Sequence, residues 1–144
     1  MTTVISVRGR DRSELLADPG FVYVGRQVGR GRNYAWPASD WGNPFKLGMS
    51  SFEAMQRVDG WARRDLLDRR IEIAVKGSTL DIESVLDLYR QWVQACPILR
   101  SQLADLRGKV LGCWCGSWKP GDPPLECHAR ILAELADGPM GGPR

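Results

Sequence analysis

The chain has 144 residues, a length that suits one domain with a real hydrophobic core. A hydrophobic fraction of 43% and a charged fraction of 26% exclude a disordered or low-complexity polymer. No apolar run approaches the ~20 residues of a membrane span, and the N-terminus carries no signal-peptide core, so a cytoplasmic protein is expected. The formal net charge of +3 is mild but unevenly placed, with six arginines and no lysine between Arg8 and Arg32. That arginine- and glycine-rich stretch fits a patch facing an anion or phosphate, and equally a solvated loop.

Residues 3–7 are a β-branched run and predict a first strand. Residues 11–20 are polar and close on the turn signal Pro19-Gly20. Residues 21–24 predict a second strand, ended by Gly25-Arg26. Residues 27–37, with Tyr34 and Trp36 among glycines and arginines, read as an exposed loop. Ser50 and Glu53 form a capping box, after which Phe52, Met55, Val58, Ala62 and Leu66 fall on one helical face. Gly60 costs that helix about 1 kcal/mol against alanine and admits a bend near Trp61. Arg63, Arg64, Arg69 and Arg70 fit a solvated face. Residues 71–75 alternate and predict a short strand. Asp81 caps the next helix, whose stripe is Ile82, Val85, Leu86, Tyr89 and Trp92 or Val93. Pro97 suits a first helical position, Ile98, Leu99, Leu103 and Leu106 follow, and Gly108 is a natural stop. A strand is predicted over residues 110–115. Ile131, Leu132 and Leu135 then mark a helix from about Glu126, and residues 138–144 form a Gly/Pro-rich flexible tail.

The densest chemistry lies at that last strand and helix. Cys113, Cys115 and Cys127, three of four cysteines, share 16 residues with the only histidine, His128. Residues i and i+2 of a strand point the same way, so Cys113 and Cys115 present their sulfurs on one face with Trp114 opposite. Cys127 and His128 fall in the first turn of the helix, where orphan N–H groups favour a thiolate or anion. The prolines at 120, 123 and 124 stiffen the loop between the two halves. Four readings stay open: a Cys3His metal site, most simply zinc; a reactive thiolate, best at Cys127; an iron–sulfur cluster on three cysteines; and plain packing of small apolar thiols with His128 as a cap. The Cys-x-Cys spacing is shorter than the usual zinc knuckle, and adjacent Cys127 and His128 are awkward as ligands of one ion.

A second stretch, residues 39–46, has the order Ser-Asp-Trp-Gly-Asn-Pro-Phe-Lys and no helical or strand periodicity. Asn43 precedes a proline and is held extended. Trp41 and Asn43 on such a loop can stack on and hydrogen-bond a base or sugar. Alternatively Trp41 and Phe45 pin the loop to the core while Asn43 makes an Asx turn.

These two stretches, with Val-Tyr-Val-Gly-Arg at residues 22–26 and Gly-Cys-Trp-Cys followed by Glu-Cys-His-Ala, resemble a family of small bacterial and phage proteins catalogued as a domain of unknown function. The resemblance covers roughly residues 4–136. It implies functional weight on Arg26, Trp41, Gly42, Asn43, Pro44, Cys113, Cys115, Cys127 and His128, and brings no activity with it. This chain departs in two longer segments, between Arg26 and Trp41 and between Cys115 and Cys127. The Cys-His helix start is also similar to that of another uncharacterised family with Cys-x-Glu before Cys-His-Arg. That likeness implies a Rossmann-like layout and replaces one sulfur by a carboxylate.

The expected fold is α/β, a small Rossmann-like three-layer domain over residues 1–137 with a short, mostly parallel or mixed sheet. Ligands of such sheets bind beyond the carboxyl ends of the strands. The expected function is a small cytosolic enzyme on a nucleotide, nucleobase or nucleic acid. Arg26 holds phosphate, and the residue 40–45 loop, with Trp41, Gly42, Asn43 and Pro44, reads base or sugar. Cys113, Cys115, Cys127 and His128 hold zinc or supply a thiolate. Cys127, His128 and Asp40 are the catalytic candidates, with Glu126 a second possible base. The rival is a non-enzymatic nucleic-acid-binding or phage–host interaction module with a structural zinc.

Overall fold

A computed structural model describes residues 2–29, 35–73, 77–114 and 127–138. Three strands and five helices follow one another: β1 (Thr3–Ser6), α1 (Arg12–Leu16), β2 (Phe21–Tyr23), α2 (Ser51–Arg63), α3 (Ile82–Ala95), α4 (Pro97–Leu106), β3 (Val110–Cys113) and α5 (His128–Asp137). The strands form one parallel sheet in the order β1-β3-β2, so the architecture is the expected small α/β type. No helix among the described residues is long and apolar enough to cross a membrane. The described residues divide into two compact units: those within 2–42 and 103–138, and those within 43–102.

The first unit holds the sheet. In register, Thr3 and Phe21 flank Val110, Val4 and Val22 flank Leu111, and Ile5 and Tyr23 flank Gly112. The last strand in sequence is thus the middle one in space. Helix α5 packs on β1 and β3, and α1 on β2. Ile5, Val7, Leu15, Phe21 and Trp36 form a core cluster, with Tyr23, Val110 and Trp114 against it. A Cβ on Gly112 would lie 2.5 Å from the Phe21 ring and 2.6 Å from Val7 Cγ1, far inside contact distance, so only glycine fits there.

Residues 12–16, within the polar stretch, form α1, because the Asp11 carboxylate accepts from Ser13 N–H and caps the turn. One expectation for this unit needs correction. Trp36 is not on an exposed loop: it is 2% exposed and stacks on Tyr23 at 4.6 Å. An isolated antiparallel bridge joins Val28 and Trp36, and Arg12 donates to Ala35 O at 2.9 Å. An indole offers enough apolar area to fold its segment inward despite the polar residues around it. Tyr34, Arg30 and Arg32 lie outside the described residues.

The ends of this unit are tied together. Thr2 N–H and Oγ1–H donate to the two oxygens of Asp137 at 2.9 and 2.5 Å, and Gly108 N–H donates to Thr2 Oγ1 at 3.0 Å. Gly108 stops the chain after α4 with a φ of 77°, as expected.

The second unit has its own core of Phe45, Met49, Ala54, Val58, Ile71, Leu80, Val85, Leu88 and Ala95. Ser50 and Asp81 cap α2 and α3, accepting from Glu53 and Ser84 N–H. Helix α2 turns a different face inward than its pattern implies. Ala54, Val58 and Trp61 face the core, while Phe52 and Met55 are 68% and 49% exposed. Trp61 sets that rotation by meeting Phe45 edge-on at 5.7 Å and tilting onto Trp92 at 5.8 Å. Leu66 lies beyond the helix end, after Asp65 turns left-handed at φ 59°. Residues 71–73 are not a strand, and residues 74 and 75 lie outside the described residues. The Gln91 amide takes both hydrogen bonds of Glu72, accepting from its N–H at 2.8 Å and donating to its C=O at 2.9 Å. One side chain thereby satisfies the backbone that a neighbouring strand would otherwise pair. Asp68 meets Arg100 through two parallel contacts, and that hydrogen bonding holds the Asp68 carboxyl below its usual value.

Two outcomes are expected. Gly112→Ala overpacks the middle of the sheet and lowers stability by about 1–3 kcal/mol in a denaturant titration. At Asp137, burial works to raise the carboxyl pKa, but the Thr2 hydroxyl and amide together with nearby positive charge, Arg107 included, outweigh it and the pKa is lowered. A lowered folded pKa contributes stability above the unfolded value of about 3.9, lost as pH falls through the folded value. Asp137→Asn therefore lowers stability by about 1 kcal/mol at neutral pH, after allowance for its exposure, and the gap closes in strong acid.

Candidate functional site

Three parallel strands bring their carboxyl ends to one edge of the first unit. Past β1 stands Arg8, past β2 stand Val24, Gly25 and Arg26, and β3 ends on Cys113. Helix α5 begins at the same edge. Cys127 is its N-cap residue, without a side-chain capping bond, and His128 is its first residue. Cys113 Sγ and Cys127 Sγ lie 3.1 Å apart, and both residues are fully buried. His128 Nε2 is 2.7 Å from Val24 O. A carbonyl only accepts, so Nε2 carries the proton and a neutral ring has its lone pair on Nδ1. Val24 N–H in turn donates to Gly112 O at 2.9 Å. One imidazole therefore fastens the start of α5 to the end of β2, beside the sulfur pair.

The segment before Asn43 folds onto the same edge. Ser39 N–H donates to Gly25 O at 3.1 Å, Gly42 N–H to Ser39 O at 3.0 Å and Trp41 N–H to Ser39 Oγ at 3.1 Å. A Cβ on Gly42 would stand 3.2 Å from both Gly25 O and Ser39 O, so the glycine allows two backbones to touch. Gly25 is itself hemmed in: its added Cβ would meet Tyr23 Oη at 2.5 Å, and that hydroxyl donates to Arg26 O. Arg26 and Asp40 are exposed, flanking this buried backbone contact.

The expected site residues thus fall into four groups. Cys113, Cys127, His128, Arg26 and Gly42 share the edge, with Asp40 next to Gly42 in the docked turn. Trp41 is buried at 6% exposure, and its backbone serves the turn. Asn43 and Pro44 belong to the second unit. There Asn43 Oδ1 accepts from Phe45 N–H at 2.9 Å, the Asx-turn alternative, and Pro44 O accepts from Arg57 at 3.2 Å. Cys115, Glu126 and the proline-bearing loop of residues 116–125 lie outside the described residues. The residue pattern does not single out Arg8, whose guanidinium stands 5.5 Å over the Trp114 ring. Its place two residues past a parallel strand end is the signal that can find it.

As metal donors, the described residues are incomplete. Two thiolates on one tetrahedral zinc stand about 3.8 Å apart, from Zn–S bonds of about 2.3 Å. The Cys113–Cys127 separation is tighter than that. His128 already donates through Nε2 to Val24 O. Among the described residues no group of three metal-ligating side chains forms, and Cys115, the remaining expected ligand of zinc or of a cluster, is outside them.

Fold and edge together define a small parallel α/β protein with a cysteine–histidine cluster at the carboxyl ends of its strands. The chain belongs to the family described as "Domain of unknown function (DUF4326)", which it matches over residues 7–138. No curated protein and no solved structure matches it.

His128→Ala leaves Val24 O buried without its donor and is expected to cost about 1–3 kcal/mol. His128→Gln, which can still donate, recovers part of that loss. Thermal melts of the two variants beside the parent chain measure the difference.

Proposed function

We propose that the protein is an enzyme acting on a nucleotide, nucleobase or nucleic acid, with its active crevice at the carboxyl edge of the β1-β3-β2 sheet. One observation supports the reading above others. The sulfur pair and His128 meet the Gly25-Arg26 turn at a single edge, through the 2.7 Å contact of His128 with Val24 O. Parallel sheets characteristically bind ligands at that edge, where loops diverge and backbone groups are exposed to a substrate.

In this reading Arg26, exposed beside a glycine, meets a phosphate, and Arg8 over Trp114 adds a second positive charge. Asp40 is the available carboxylate for proton transfer. Burial of Trp41 favours a supporting role for it in the turn that presents Asp40 and the Gly42 peptide, and the Asx turn at Asn43 favours a structural role within the second unit. Cys127 and His128 supply the chemistry from behind this surface. Complete burial of Cys113 and Cys127 also favours the second reading, a nucleic-acid-binding module in which the cluster is structural, with zinc if Cys115 completes the set.

Equilibrium binding separates the two. Arg26→Ala should weaken binding of a mononucleotide panel about tenfold, with an unchanged melting temperature. Binding to long single-stranded DNA or RNA that falls steeply with salt, while mononucleotides do not bind, would instead favour the module.

A further inference from the structure

We propose that Cys113 and Cys127 are a reversible dithiol/disulfide site that bolts the end of β3 to the start of α5. The proposal stands on the geometry of the pair and holds whatever the substrate of the crevice is.

The two sulfurs are 3.1 Å apart and belong to residues with no exposed surface. Carbon atoms rest at about 3.5–4.0 Å, and sulfur is larger, so this is closer than packing alone gives. A covalent S–S bond needs about 2.05 Å, roughly 1 Å less. The gap lies between packing and bonding distance, and it is narrower than two ligands of one zinc adopt. Their positions also suit a bridge. Cys113 ends the middle strand, paired to Ser6 in register, and Cys127 begins the helix that packs on β1 and β3. A bond there joins two elements already in contact.

The chemistry balances with a small-molecule disulfide as oxidant. One cysteine thiolate attacks glutathione disulfide, forming a mixed disulfide and releasing one glutathione thiolate. The second cysteine, losing its proton, attacks the protein-side sulfur. The Cys113–Cys127 bond forms, the second glutathione leaves, and two electrons have passed to the glutathione pair. Because both sulfurs are buried, exchange follows a local opening of this edge and is slower than at an exposed thiol. His128, adjacent to Cys127, holds Val24 O before Gly25-Arg26, so the oxidised state acts on the crevice through that contact.

The test uses the full chain with Cys115→Ser, which leaves Cys96, Cys113 and Cys127 of the four cysteines. After equilibration with glutathione disulfide and denaturation, titratable thiols should drop from three to one. Intact mass should fall by two hydrogens, and dithiothreitol should restore all three thiols. Cys113→Ser/Cys115→Ser should not form this internal bond. Three thiols remaining in Cys115→Ser, or glutathione adducts alone, would overturn the proposal. So would co-purifying zinc that protects these thiols in the unaltered chain. If the variants do not fold, the unaltered oxidised chain is cleaved after Glu126 and the bridge assigned by fragmentation. A Cys113–Cys127 link upholds the proposal, and a link at Cys115 or Cys96, or none, sinks it.

Discussion

β3 is paired on both edges, and the absence of a side chain at Gly112 lets it lie there. Phe21 from β2 and Val7 from just past β1 close over that position at distances no Cβ can share. The strand that carries Cys113 is thereby fixed by its neighbours on both sides. A strand at an edge can shift or fray, whereas a middle strand moves only with the whole sheet. The cysteine at its end thus sits on a strand held from both sides.

The start of α5 inherits its position from the same strand by a second route. Val24 N–H is held by Gly112 O, and Val24 O is held by His128. The peptide groups at Val24 therefore connect the middle strand to the helix on either side of one residue. Gly25 follows at once, and its carbonyl accepts the turn that carries Asp40. A displacement of His128 is felt first at Val24, then at the Gly25 carbonyl, and so at the exposed groups Arg26 and Asp40. The buried Cys113 and Cys127 and the exposed Arg26 and Asp40 are thus linked through one run of backbone hydrogen bonds.

Much of this is legible in the residue order, because its signals are local. The capping residues Ser50 and Asp81, the stop at Gly108 and the three strands each depend on a few neighbouring residues and appear within a residue or two of the expected places. The failures are those in which a distant partner decides. Trp36 is drawn inward by Tyr23 and Phe21. The inward face of α2 is set by the meeting of Trp61 with Phe45 and Trp92, which no helical period encodes. Glu72 is satisfied by a side chain 19 residues away, so an alternating pattern fails to become a strand. At the site, spacing alone brings Cys113, Cys127 and His128 together, but not the identity of the carbonyl that His128 chooses.

That choice bears on what the cluster can do. A histidine whose Nε2 is bound to a backbone carbonyl has one tautomer when neutral, with its basic nitrogen fixed at Nδ1. An imidazole oriented in this way is the usual arrangement behind a metal ligand, where the second nitrogen is held by a carbonyl, and equally behind a base that sets a thiolate. The sulfur pair stands beside this imidazole at 3.1 Å, shorter than the ~3.8 Å of two thiolates on one undistorted tetrahedral zinc and longer than a covalent bond. That separation carries the proposed disulfide, and His128 ties the same strand–helix junction to Val24 O.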